Sequence, residues 1–130
     1  MSLRCHLPIL VLLLLAYAAG ARGQSPPEPP PFDPLHAEKN IEVGNYYMKK
    51  GNYDAAIERF QEAARLKPNF ARPYRLLGEA YEKKGDKAEA VKAYRKYLEI
   101  LPAAEDAGKI HKRVEKLSRE LERAARRRSG

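Results

Sequence analysis

Two segments of this chain repeat each other at a spacing of 34 residues. The first runs from Gly44 and the second from Gly78. The matched pairs are Gly44/Gly78, Tyr47/Tyr81, Lys50/Lys84, Gly51/Gly85, Ala56/Ala90, Phe60/Tyr94 and Pro68/Pro102. A fixed period of this length is typical of stacked supersecondary units, each of which buries its apolar face against the next.

The apolar pattern of the first repeat predicts two helices, over residues 35–50 and 53–66, with Gly51 ending the first. Lys67 and Pro68 end the second helix, because the residue before proline avoids the α region. The second repeat follows the same plan. No window shows the alternation of period two that a strand requires.

Short polar residues mark the predicted helix starts. Asp33 precedes Pro34, which suits the first helical position. Asn69 is expected to cap the third helix and Asp86 the fourth. Pro73 then falls in the first turn of the third helix, where proline is tolerated.

The paired glycines lie inside predicted helices, where glycine costs ~1 kcal/mol relative to alanine. We therefore expect a close approach of the partner helix at Gly44 and Gly78, with Ala56 and Ala90 as the small residues that face them. The large matched side chains are expected to fill the space between hairpins; they are Tyr47, Phe60, Tyr81 and Tyr94.

These residues resemble tetratricopeptide repeats, which share the 34-residue period and a pattern of aromatic, Leu-Gly, Tyr, Ala, Phe and Pro positions. The second repeat matches at Tyr74, Leu77, Gly78, Tyr81, Ala90, Tyr94 and Pro102. The first matches at Gly44, Tyr47, Ala56, Phe60, Ala63 and Pro68, and departs at Asn40 and Val43. The resemblance implies an all-α solenoid of two helix-turn-helix repeats, with four helices, plus one long C-terminal helix.

The period fails after residue 104, since Lys112 and Glu115 stand where a third Gly and Tyr would fall. Residues 104–128 are instead predicted to form one long capping helix, supported by Glu-to-basic pairs. Its apolar seam has heptad spacing, and the expected pairs join Glu105 to Lys109, Glu115 to Arg119 and Glu122 to Arg126. The seam comprises Ala103, Ala107, Ile110, Val114, Leu117, Leu121 and Ala124.

The long helix leaves two outcomes open. At 1.5 Å per residue it is ~37 Å long and overhangs a repeat helix of ~21 Å, so Leu121 and Ala124 lack an obvious cover. Either the seam joins two copies in a homodimer, or the helix folds back on its own repeats.

The N-terminal residues 1–23 resemble a secretory signal peptide, with Arg4, an apolar core from Leu7 to Ala16, and small residues before a cut after Gly23. Cleavage after Ala21 is nearly equivalent. An uncleaved anchor is disfavoured because the apolar stretch is shorter than the ~20 residues that span a bilayer. The predicted location is therefore periplasmic or secreted.

The predicted organisation has four parts: a signal peptide (1–23), a Pro-rich linker (24–34), two repeats (35–104, divided as 37–70 and 71–104) and a capping helix with a basic tail (105–130). Six of the eleven linker residues are proline, which favours an extended spacer; a ligand for a Pro-binding domain is the alternative.

The composition opposes catalysis. The chain has one cysteine, Cys5, and no threonine, which disfavours thiol and threonine nucleophiles and Cys-based metal sites. His111 and Ser118 are seven residues apart on one helix, ~10.5 Å along its axis, whereas a nucleophile and its base approach to ~3 Å. We expect a non-enzymatic protein without cofactor or metal.

The resemblance implies a concave groove for peptide segments, lined by the first helix of each pair. By position its residues are Ile41, Asn45, Met48, Lys49, Arg72, Arg75, Glu79, Lys83, Lys109, Arg113 and Lys116. This set is more basic than acidic, which favours an acidic or C-terminal carboxylate segment of a partner protein. The chain is thus expected to be an exported adaptor in cell-envelope assembly or scaffolding.

Part of this set resembles the carboxylate clamp of chaperone-binding members of the family. Asn45, Lys109 and Arg113 fit the clamp, but Ile41 replaces its first lysine and a second asparagine is missing. A chaperone tail would also be a cytosolic partner, which the predicted signal peptide opposes. A true clamp is therefore not the expected function.

A second interpretation concerns the basic C-terminus. Residues 105–130 hold nine basic and five acidic side chains, including Arg123, Arg126, Arg127 and Arg128. The alternative function is a basic, self-associating protein that docks its last helix on an anionic membrane or polyanion. Cations also suit the dipole of a helix C-terminus, and no nucleic acid is expected because no aromatic residues interleave the basic run.

Export makes a direct prediction about the N-terminus. When the chain is produced in an export-competent host, N-terminal sequencing of the exported fraction should begin at Gln24. Replacing Leu13 by Arg breaks the apolar core and should leave the chain uncleaved inside the cell. An exported wild-type chain that still begins at Met1 would contradict the prediction.

Overall fold

Five α-helices account for most of residues 32–130, which are the residues that the computed structural model describes. The helices are α1 (Pro34–Lys49), α2 (Tyr53–Leu66), α3 (Ala71–Lys84), α4 (Lys87–Ile100) and α5 (Ala107–Ser129). No strand occurs in this range, and the predicted all-α repeat fold is confirmed. The predicted signal peptide and most of the linker lie outside the described residues.

The turns inside the two hairpins are copies of each other. Gly51 and Gly85 follow α1 and α3 with φ of 73° and 91°, a left-handed conformation that glycine adopts without steric cost. Asn52 and Asp86 then cap α2 and α4, each accepting a hydrogen bond at 3.2 Å from the backbone N–H three residues on. The cap predicted at Asp86 is confirmed.

The start of α3 corrects one prediction. The residue before this helix is Phe70, and no side chain caps it. The N–H of Phe70 donates to the carbonyl of Lys67 at 3.0 Å, so a tight turn holds Asn69 one position too early to act as a cap. Pro73 is the third residue of α3 and lies buried, in the turn where proline was expected.

Asp33 begins α1 as predicted. Its carboxylate accepts a hydrogen bond from the N–H of His36 at 3.0 Å, and Pro34 is the first helical residue. The N–H of Asp33 also donates to the carbonyl of Leu66 at 3.0 Å. The first helix is thereby tied to the end of α2.

The buried glycines face aromatic rings and not alanines, which corrects a second prediction. A Cβ at Gly44 would lie 2.4 Å from the ring of Phe60, and a Cβ at Gly78 would lie 2.4 Å from the ring of Tyr94. Both rings are fully buried. Phe60 and Tyr94 therefore fill the space inside each hairpin, and the prediction that Ala56 and Ala90 face the glycines is wrong.

Two apolar clusters make up the core of residues 32–130. The first joins α1, α2 and α3 with Ala93 of α4, and the second joins α4 and α5. Tyr74 and Tyr81 of α3 pack against both clusters. These two tyrosines of α3 thus connect the two clusters.

The capping helix begins three residues later than predicted. Residues 101–106 form turns, in which the N–H of Ala104 donates to Leu101 and the N–H of Ala107 to Ala104. Ala103 is exposed in these turns. Glu105 also precedes the helix, so the expected pair with Lys109 does not form within the described residues.

The other expected pairs on α5 are present but long. Arg119 lies 3.9 Å from Glu115, and Arg126 lies 4.0 Å from Glu122. Both pairs are exposed, and such pairs contribute little to stability.

The heptad seam of α5 folds back on α4. Ile110, Val114 and Leu117 are buried in the second cluster, and Leu121 is partly buried against it. Ala124 is exposed. The main part of the seam therefore has an intramolecular cover, and only the last turns extend past it.

The glycine contacts predict a position-specific loss of stability. Gly44→Ala or Gly78→Ala should destabilise the chain by about 1–3 kcal/mol, because the new methyl overlaps a buried ring. Gly108→Ala is the matched control, since a Cβ there meets nothing within 4 Å; it should be neutral or stabilise by up to ~1 kcal/mol. Thermal unfolding measures all three, and equal shifts at the three positions would contradict the packing described.

Candidate peptide-binding groove

A surface depression of about 370 Å³ lies where three helices from successive units meet. Met48 comes from α1, Glu79, Glu82 and Lys83 come from α3, and Arg113 comes from α5. These are the first helices of the two hairpins and the capping helix. Their side chains converge because the hairpins stack in parallel order, so that equivalent faces of α1, α3 and α5 share one surface.

The floor of this depression is an ion pair that joins three helices. The Nε of Arg113 lies 2.7 Å from the Oε2 of Glu82. The hydroxyl of Tyr94 donates to the same oxygen at 2.6 Å, and the guanidinium of Arg113 lies over the Tyr94 ring at 5.8 Å. Arg113 is therefore held in place by α3 and α4 before any ligand arrives.

A second depression, of about 610 Å³, lies at the opposite end of α3. Arg75 reaches across it, with Nη1 at 2.9 Å from Glu79 and 3.8 Å from Asp106. Tyr97 donates to the other oxygen of Asp106 at 2.5 Å. The remaining lining residues are Leu101, Ala104, Glu105 and Lys109.

The two tyrosine hydroxyls in these networks are held as hydrogen-bond donors. Burial, followed by the hydrogen bond to Asp106, raises the pKa of Tyr97 to about 12. Burial and the hydrogen bond to Glu82 raise the pKa of Tyr94 well above its usual range. Both phenols therefore stay neutral at physiological pH and keep the carboxylates oriented.

Six of the predicted groove residues line the two depressions. Met48, Glu79, Lys83 and Arg113 line the first, and Arg75 and Lys109 line the second. Arg72 pairs with Glu38 across the α1–α3 boundary at 3.4 Å.

Like Arg72, the remaining four predicted groove residues line neither depression. Asn45 is half-buried, and Lys49 and Lys116 are exposed. Ile41 is a correction: it is 1% exposed and belongs to the first core cluster. Because Ala37, Ile41 and Gly44 recur at steps of four and three, they form the face that α1 buries.

The sequence prediction missed several acidic residues near the groove: Glu82, Glu105 and Asp106 line the depressions, and Glu38 pairs with Arg72 outside them. Two of them could have been found from the repeat, because Glu82 is 34 residues after Met48 and Glu38 is 34 before Arg72. Glu105 and Asp106 lie after residue 104, where the repeat no longer holds.

These carboxylates change the electrostatics of the groove. Arg72, Arg75 and Arg113 each contact an acidic side chain. Within residues 32–130, Lys49, Lys83 and Lys109 form no ion pair closer than 4.0 Å. The positive charge of the lysines is therefore not compensated by a neighbouring carboxylate, whereas the arginine side chains are held in place by their ion pairs.

The basic tail stands apart from the depressions. Arg123, Arg126, Arg127 and Arg128 are all exposed near the end of α5 and line neither depression. No group of three or more His, Cys, Asp or Glu side chains within residues 32–130 is arranged to hold a metal ion. No helix of this part of the chain could span a membrane on length and hydropathy.

Comparison with known families identifies the repeats. Residues 44–85 match a family described as TPR repeat, and residues 71–104 match one described as tetratricopeptide repeat. The chain contains tetratricopeptide repeats. Such repeats are protein-interaction modules, in agreement with a surface formed by several helices and lined by mixed polar and apolar side chains.

Curated relatives match about half of this chain. Hsp70-Hsp90 organizing protein 3 of Arabidopsis thaliana is 35% identical over 72 residues, which are 55% of this chain and 13% of that protein. Small glutamine-rich tetratricopeptide repeat-containing protein 2 of Mycosarcoma maydis is 38% identical over 59 residues, or 45% of this chain and 17% of that protein.

An enzyme is also among the relatives. The probable UDP-N-acetylglucosamine--peptide N-acetylglucosaminyltransferase SEC of Arabidopsis thaliana is 34% identical over 62 residues, 48% of this chain and 6% of that protein. The chain thus spans less than a fifth of the length of each of these relatives. The similarity establishes the repeats and not the activity of any whole protein.

The raised pKa of Tyr97 predicts a pH dependence of stability. An unfolded tyrosine titrates near ~10, so the contribution of Tyr97 is complete below that pH and is lost as pH rises through about 12. Tyr97→Phe should therefore lower the free energy of unfolding at pH 8 but flatten its fall between pH 8 and 11, as measured by urea denaturation.

Tyr46→Phe is the control for this experiment, because Tyr46 is 57% exposed. Its denaturation curves should follow the wild type at both pH values. If the Tyr97 variant lost as much stability between pH 8 and 11 as the wild type, titration of the buried Tyr97 hydroxyl would not be the cause.

Proposed function

We propose that the chain is a non-enzymatic adaptor that binds a peptide segment of a partner protein in the groove between α1, α3 and α5. The observation that supports this most directly is the convergence of Met48, Lys83 and Arg113, from three helices, on one depression. A site assembled from successive units suits an extended chain, which crosses several helices in turn.

The chemistry of the groove favours a segment with an acidic and an apolar residue. Lys83 offers an ammonium group to an anionic side chain, while Met48 and Leu101 offer apolar surface in the two depressions. From Arg75 to Lys83 the distance along α3 is ~12 Å, which an extended peptide covers in about four residues. A short linear segment is therefore long enough to contact both depressions.

We further propose that this adaptor acts after export, in assembly or scaffolding at the cell envelope. The proposal relies on the signal-like residues 1–23 and on the interaction role of the repeats. The absence of a paired histidine, serine or carboxylate constellation in the sequence supports a role without catalysis.

Selection from a displayed library of random 12-residue peptides tests the groove. Peptides enriched on the full chain should bind Lys83→Ala about tenfold more weakly by fluorescence anisotropy, because one charge-assisted contact is lost. Lys83 is chosen because it is exposed and forms no ion pair within residues 32–130. Replacing Arg113 would also leave Glu82 without its partner.

Arg95→Ala is the matched control, since Arg95 is exposed on α4 outside both depressions and its loss changes the net charge equally. Its affinity for the same peptides should equal that of the wild type. If the affinity for the selected peptides is unchanged in Lys83→Ala, or falls equally in Lys83→Ala and Arg95→Ala, the groove is not the binding site. Selected peptides without acidic residues would refute the charge preference alone.

A further inference from the structure

One face of α5 carries a row of six basic residues. Their steps are three, four, three, four and three, which place them on one stripe of a helix. At 1.5 Å per residue the row is ~25 Å long. We call it the basic ridge; its members are Lys109, Lys112, Lys116, Arg119, Arg123 and Arg126.

The basic ridge lies opposite the buried face of its helix. Ile110, Val114 and Leu117 pack into the second core cluster with α4, whereas all six ridge side chains are exposed. The packing of α5 on α4 therefore fixes the direction in which the ridge points and leaves the whole row accessible.

Most of the charge on this row is not neutralised. Among the described residues, Lys109, Lys112, Lys116 and Arg123 form no ion pair within 4.0 Å. Arg119 and Arg126 approach their acidic neighbours only at 3.9 and 4.0 Å. Like charges three and four residues apart destabilise a helix, so an external anionic partner would relieve this repulsion.

We propose that the basic ridge docks the protein on a membrane surface rich in anionic phospholipid. A straight row of long, flexible cations contacts a plane along its full length, and each such residue near an anionic bilayer adds to the binding. The apolar side of α5 stays on α4, so the contact is electrostatic and needs no insertion. The first depression can be tested separately from the ridge, because Lys83 and Met48 lie on other helices; Lys109 belongs both to the ridge and to the lining of the second depression.

Nucleic acid is the less suitable polyanion. No Phe, Tyr or Trp lies between the ridge residues to provide a surface on which bases could stack. A straight ~25 Å row also diverges from a curved phosphate backbone sooner than from a flat bilayer.

Vesicle co-sedimentation of the full chain tests the proposal. Binding to phosphatidylserine–phosphatidylcholine vesicles should exceed binding to phosphatidylcholine vesicles at ~0.1 M salt, and the difference should shrink as salt is raised. Membrane binding by the apolar segment from Leu7 to Ala16 does not depend on lipid charge. It therefore cancels when the two vesicle types are compared.

The ridge variant combines Lys112→Gln, Lys116→Gln and Arg123→Gln. It should bind the anionic vesicles on the order of 100-fold more weakly, since each of three cations is lost. The control variant combines Lys39→Gln, Lys92→Gln and Arg95→Gln, which removes the same charge from exposed positions on α1 and α4. It should bind within about threefold of the wild type.

Three results would overturn the proposal: equal binding to both vesicle types, equal losses in the two triple variants, or tighter ridge-dependent binding to heparin or duplex DNA than to vesicles at the same salt. Lys83→Ala should leave vesicle binding unchanged, so failure of the groove and failure of the ridge are distinguishable. Circular dichroism checks that both triple variants keep the wild-type helix content.

Discussion

The contact between a glycine on one helix and an aromatic ring on the next sets the geometry of both hairpins. Gly44 and Gly78 have no Cβ, and the rings of Phe60 and Tyr94 occupy the space that a Cβ would need. The helix axes can therefore approach closely, and each ring is buried inside its own hairpin. Because both hairpins have this geometry, they stack with equivalent faces aligned, and this alignment assembles the groove.

In the second hairpin, the ring that packs against the glycine also takes part in a polar network. Tyr94, unlike Phe60, carries a hydroxyl that donates to Glu82 at 2.6 Å, and Glu82 in turn holds Arg113 at 2.7 Å. One buried ring thus packs against a glycine and also orients a carboxylate and a guanidinium at the groove surface. Core packing and groove electrostatics are connected through a single side chain.

The sequence alone predicted the helices, the repeat and the glycine-ended turns, because these depend on local propensity and on a visible period. It missed features that depend on side-chain direction. The predicted groove position of Ile41 is wrong because its spacing from Ala37 and Gly44 puts it on the buried face. The predicted cap at Asn69 is wrong because a turn holds this residue one position early. The predicted alanine partners of the glycines are wrong because the rings of Phe60 and Tyr94 fill that space.

The exposed face of α5 carries a row of positive charges, and their sign, unlike their polarity, indicates the kind of surface that would bind there. An end helix needs only polar residues on its outer side to remain soluble, and either sign would serve. A mixture of Lys and Glu would add stabilising pairs along the helix, whereas a row of like charges opposes helix formation. The acidic residues of α5 instead lie off the row, at Glu115, Glu120 and Glu122, and Glu120 is occupied by Lys87 at 2.9 Å. These acidic residues flank the row and interact with some of its members, but the row itself carries only positive charge, which an anionic partner surface would neutralise along its full length.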